Sequence, residues 1–235
     1  MLPEQGCCLP ADCLFTLKTG YEWDDVFNAR LAIKKELAHF YRNVNSYSQT
    51  NHWGVITCGF NDRVELYGAL GNTSLHIEQK PFSNLRLKYG TSDAFSWEIG
   101  GRVLLAYWSN FHLGIDAKYF KSNPKIKKIS INGDAISLHG ATFDSEQWQV
   151  GLGVSHRFNY WAPYIGVKYS NIWGKFKYGD VLKLSPWGHS MNFENRFPLG
   201  PFVGCSFFLQ RGLNINIEGR WVNETAMTVS GDFRF

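Results

Sequence analysis

The chain of 235 residues carries 24 Lys and Arg against 20 Asp and Glu, and this net charge of +4 is scattered rather than clustered, which argues against a nucleic-acid-binding surface. Aromatic residues make up 16% and charged residues only 19%, with 23 glycines, yet mean hydropathy is −0.25, so apolar residues must alternate with polar ones. No run approaches the roughly 18 consecutive apolar residues of a membrane helix, and one all-β domain accommodates this length.

The start, Met1 to Cys8, has neither the charged nor the apolar region of a secretory signal, which fits a cytosolic protein or a mature exported chain. Residues 1–12 read as a cysteine-rich amino-terminal segment and 13–235 as a single β domain. Candidate strands follow at 13–22, 26–35, 53–60, 64–79 and 84–89. In 95–107, Phe95, Trp97, Ile99, Val103, Leu105 and Tyr107 oppose Ser96, Glu98, Gly100 and Arg102. The same two-sided pattern runs through 111–119, 148–158, 161–169 and 201–210, then 213–221 and 227–235, so the chain ends inside a strand.

The count is twelve, with 10 to 16 open. Many of these repeats exceed the roughly 5 to 6 residues usual in soluble sandwiches and match the ~9 to 11 needed to cross a bilayer. Only a closed barrel leaves no unpaired backbone edge in lipid. Trp and Phe at strand ends fit interfacial girdles. The expected fold is therefore a transmembrane, antiparallel, up-and-down β-barrel. Three long connections, 39–52, 121–146 and 171–200, belong on one side, and tight turns at Asn110, Asn159-Tyr160 and Arg211-Gly212 on the other. Asn132-Gly133 signals a protruding hairpin within the second long connection.

The inward face supplies candidate pore-lining residues: Lys18, Arg102, Lys118, Arg157, Lys168, Arg220 and Arg234 against Glu22, Glu98, Asp116, Glu218 and Asp232. Seven positive against five negative predicts a mild preference for anions. The alternative is a non-conducting structural barrel whose charges pair across the lumen. The seven histidines lack metal-ligand spacing, so neither a metal nor a cofactor is expected. Ser155 and His156 are strand neighbours that point to opposite faces, so an outer-membrane hydrolase ranks third and no catalytic residue is assigned. Five cysteines, Cys7, Cys8, Cys13, Cys58 and Cys205, are an odd number, which suggests intermolecular pairing or a spare thiol. Disulfides are expected for the amino-terminal trio, whereas Cys205 also reads as a small packing residue.

The stretch from Glu146 to Lys168, EQWQVGLGVSHRFNYWAPYIGVK, resembles the chlamydial major outer membrane protein family of porins. Asp62 to Leu66 leading to Gly68-Ala69-Leu70-Gly71, Phe95 to Gly101 leading to Lys118 to Lys125, the Leu-Pro start with its cysteines, and Phe233-Arg234-Phe235 extend the resemblance in order. It implies a general diffusion porin, multi-pass in the outer membrane of a Gram-negative, Chlamydia-like bacterium, with a coat stiffened by disulfides. It also implies Phe233 and Phe235 as an assembly signal. The implied partners are outer-membrane lipid, the barrel-assembly machinery and disulfide-linked envelope proteins, with room for a trimeric homo-oligomer. The chain is much shorter than the family and has fewer cysteines, because the long variable segments shrink to connections such as 39–52.

Overall fold

The structure is a computed structural model that describes residues 15–33, 44, 46–61, 63–82, 85–137, 141–177, 190–209 and 212–235. The described residues form fifteen strands in one antiparallel sheet. In chain order they are β1 (Phe15–Ala29), β2 (Leu31–Ile33), β3 (Ser46–Phe60), β4 (Val64–Phe82), β5 (Leu85–Thr91), β6 (Ala94–Trp108), β7 (Phe111–Ser122) and β8 (Ile126–Ile131). There follow β9 (Asp134–Ser137), β10 (Thr142–His156), β11 (Trp161–Lys177), β12 (Ser190–Asn195), β13 (Leu199–Phe208), β14 (Leu213–Arg220) and β15 (Glu224–Arg234).

Ten of them close a barrel in the order β3-β1-β15-β14-β13-β11-β10-β7-β6-β4, the circuit being completed by β3 pairing with β4. This is two fewer than the twelve expected. The expected break between the segments 13–22 and 26–35 is absent, and residues 15–29 are one strand, because Glu22, Asp24 and Val26 keep the inward alternation across an Asp pair that reads as a turn. The segment 84–89 becomes β5, which pairs with β4 only beyond the point where β6 begins, opposite Thr73, and so leaves the barrel wall.

Four short connections lie at one end, between β3 and β4, β6 and β7, β10 and β11, and β13 and β14. Asn61, Ser109 and Gly212 take positive φ there, as tight turns require. The opposite end carries the long connections 30–45, 83–93, 123–141 and 178–198, and only the link from β14 to β15 is short. Long connections therefore number four rather than three.

The outer face is apolar: Ile56, Leu70, Ile99, Ile165 and Val167 are exposed, a surface that lipid accommodates and water does not. Aromatic rows bound it. Trp97 meets Tyr119 at 5.6 Å and Trp148 meets Tyr169 at 5.1 Å towards the long connections, while Trp108 meets Phe111 at 5.8 Å and Phe158 meets Trp161 at 4.6 Å near the turns.

The interior has two layers. Under the long connections lies an apolar core that includes Tyr47, Leu75, Ile77, Tyr89, Ile129, Phe143, Phe176 and Phe193. The hairpin of β8 and β9 turns at Asn132 (φ 52°) and Gly133 (φ 110°), the left-handed pair that a two-residue hairpin needs. Rather than protruding, the ribbon of β5, β8 and β9 closes over the barrel mouth. Its Tyr89 ring meets Phe176 of β11 edge-on at 5.1 Å.

Nearer the middle, rings fit a narrow bore because inward glycines lie opposite them. A Cβ on Gly100 would stand 2.4 Å from the Tyr67 ring, and one on Gly204 would stand 2.3 Å from the Tyr164 ring. Gly100→Ala is expected to cost about 1–3 kcal/mol through overpacking. The urea midpoint of the refolded barrel should fall accordingly and recover in a Tyr67→Ala background.

Candidate functional site

The second interior layer is a belt of charge at the level of the lipid-facing band. Strand alternation puts it there, since each charged residue neighbours an outward apolar one: Lys18 follows Leu17, Glu65 precedes Leu66, Glu98 precedes Ile99 and Lys168 follows Val167. Arg220 of β14 is its most connected member. Its guanidinium donates at 2.5 Å to both Asp24 Oδ1 and Thr228 Oγ1, lies 2.7 Å from Glu224 Oε1 and stands 3.7 Å from Glu218 Oε1. Thr228 in turn donates to Asp24 at 2.7 Å.

Glu65 holds two cations, accepting from Lys18 Nζ at 2.7 Å and from Arg102 at 3.4 Å. The Arg102 guanidinium also lies 4.6 Å from the Tyr67 ring centroid, a cation–π contact. Lys118 pairs with Glu98 at 2.9 Å and Lys168 with Glu218 at 3.3 Å. Tyr164 donates to Asn216 and Glu218 at 3.0 and 3.1 Å. Above the belt, a chain of polar contacts from Tyr47 through Gln49 and Asn51 reaches Asp24 and joins the two layers.

The structure thus places Lys18, Glu22, Glu98, Arg102, Asp116, Lys118, Lys168, Glu218 and Arg220 together inside the barrel. Arg157, Asp232 and Arg234 sit nearer the turn end and are half-buried. Arg157 lies 5.0 Å from the Phe208 ring, Asp232 accepts from Asn214 at 3.0 Å, and Arg234 stands opposite Lys18 in the ladder.

Sequence reasoning missed Asp24, Glu65 and Glu224, all buried in the belt. For Glu65 the signal is present in the sequence, since Glu65, Tyr67 and Ala69 alternate with Leu66, Gly68 and Leu70. With these three added, inward charge among the described residues is seven positive against eight negative. The cationic excess behind the expected anion preference is absent.

The bore at the belt is narrow. Side chains from β1, β4, β6, β7, β11, β14 and β15 border a cavity of about 20 Å³, room for about one water molecule.

Cys58 and Cys205 are free thiols on the outer face of β3 and β13, separated by β1, β15 and β14, so no bridge joins them. Cys7, Cys8 and Cys13 lie outside the described residues. Phe233 and Phe235 are exposed and meet edge-on at 5.3 Å. Ser155 faces inward, while His156 packs between the rings of Phe111 and Phe158 at 4.5 and 4.6 Å. Outside the membrane band, the hydrogen bond from Arg86 holds the Glu78 carboxyl below its ordinary value.

A family profile described as Chlamydia major outer membrane protein matches residues 131–177. A major outer membrane porin of Chlamydia pneumoniae is 25% identical over 240 residues, covering 73% of this chain and 60% of the relative. One of Chlamydia psittaci is 28% identical over 243 residues, covering 74% and 62%. The chain is similar to the chlamydial major outer membrane porins. With its closed barrel and apolar outer face, this similarity makes it a multi-pass outer-membrane β-barrel, and it spans about 60% of the length of the curated relatives it matches. Among solved structures, the COG4313 outer membrane channel from Pseudomonas putida F1 aligns over 97% of both chains at 10% identity and a TM-score of 0.47, a likeness too loose to bear on function.

Proposed function

We propose that this chain is an outer-membrane porin whose described conformation is the closed one. Ions and small solutes pass along the barrel axis, beside the candidate pore-lining residues from Lys18 to Arg234, when the belt and the apolar layer above it part. The observation that carries this reading is the contrast between the two interior layers. Buried ion pairs are seldom more stabilising than apolar residues of the same volume, and this chain fills the other half of its lumen with apolar side chains. Twelve charges kept at membrane level therefore point to a role other than stability.

The curated relatives are named porins, and the opposed Ser155 and His156 offer no nucleophile and base, so the reading is a channel rather than an enzyme. Outer-membrane lipid, the assembly machinery acting on Phe233 and Phe235, oligomerisation, and disulfide links through the amino-terminal cysteines to envelope proteins belong to the same proposal. The second reading, a non-conducting structural barrel, is favoured by the small size of the cavity at the belt, about 20 Å³.

The deciding experiment is current across a planar bilayer after adding refolded, heat-modifiable protein. Discrete, small steps are expected. A silent bilayer containing demonstrably inserted barrel would move the structural reading into first place.

A further inference from the structure

Two carboxylates of the belt differ from the rest. Glu22 on β1 and Asp116 on β7 are 6% and 5% exposed, and neither forms a hydrogen bond or an ion pair with any described residue. Around the barrel they are four strands apart one way and six the other, so they stand on nearly opposite walls. Both border the same cavity of about 20 Å³.

Among the described residues the charge around them is not balanced. Among the described residues the belt proper holds seven carboxylates, the two named and Asp24, Glu65, Glu98, Glu218 and Glu224, against five cations, Lys18, Arg102, Lys118, Lys168 and Arg220. Every member except Glu22 and Asp116 has an ion-pair partner. The excess of two negative charges among the described residues thus coincides with the two unpaired carboxylates that border this cavity. In a low-dielectric surround that excess attracts counter-charge from solution. Carboxylates facing a constriction are how cation channels exclude anions.

We propose that Glu22 and Asp116 make the constriction selective for small cations, the reverse of what the inward charges legible in the sequence predict. This rests on the porin reading for its transport consequence, but the attraction of a cation to the cavity does not.

The test has two arms. In the first, the reversal potential is measured in a KCl gradient for wild type, Glu22→Gln, Asp116→Asn and the double variant. Wild type should reverse on the cation side, each single variant should shift towards zero, and the double variant should lose the preference. In the second, the barrel is melted in detergent at constant chloride with K⁺ or with choline, which is too large for the cavity. K⁺ should raise the Tm of wild type relative to choline by mass action, and the double variant should lose that difference.

Channels that prefer anions, or folded variants with an unshifted reversal potential, overturn the selectivity proposal while leaving the porin reading intact. Silent bilayers with a K⁺-specific rise in Tm defeat the porin reading and keep the cation site. Silent bilayers with no such rise defeat both.

Discussion

Replacing Arg220 with Met is expected to destabilise the barrel by about 3–5 kcal/mol, the range for removing one partner of a buried charge network. The guanidinium reaches Asp24, Glu218, Glu224 and Thr228 at once from the middle of the lumen, and all four are buried. Its loss leaves Asp24 and Glu224 with no ion-pair partner among the described residues, because Lys168 pairs with Glu218. Arg220→Lys should recover only part of the loss, since one ammonium cannot meet partners in several directions as a planar guanidinium does. The measurement is the urea midpoint of the heat-modifiable band. Combining Arg220→Met with Asp24→Asn and Glu224→Gln should restore most of the midpoint. If the triple variant is as unstable as the single, the harm comes from lost packing rather than from stranded charge.

Where the alternation is long and clean, sequence and structure agree: 95–107, 111–119, 148–156 and 161–169 lie in β6, β7, β10 and β11, with the outward residues where period two puts them. Alternation is a local property, legible without knowledge of partners. It fails at Trp23-Asp24-Asp25, where two consecutive acids imitate a turn while Asp24 is held inside by Arg220 from a strand almost two hundred residues away. It also fails at 84–89, which has the pattern of a wall strand. Its inward residues face the apolar layer, and which partner β4 takes above Thr73 is decided by chain geometry, not by composition. The candidate site was legible as a set of inward charges but not as a network. The sign of the lumen turned on Asp24, Glu65 and Glu224, and pairing across non-adjacent strands, such as Lys18 with Glu65, leaves no trace in sequence spacing.

Phe143→Ala is expected to loosen the apolar layer without opening the barrel. The ring is fully buried, lies 6.4 Å from Tyr47 and 5.8 Å from Phe193, and covers Gly174, whose added Cβ would stand 2.5 Å from it. Truncating a buried Phe costs about 3–5 kcal/mol. Here the loss falls on one side of the molecule, because the ring touches the mouth and not the belt. Sub-global opening should result: amides of β5, β8 and β12 should exchange faster and those of β7 and β14 should not. Two closures in series conduct only when both part, so this variant alone should leave bilayer current at the wild-type level. Combined with Tyr67→Ala, which removes a ring from the border of the belt cavity, it should raise the current. A large current from Phe143→Ala alone would show that the belt does not close the lumen, and that the apolar layer is the sole barrier between the two sides of the membrane.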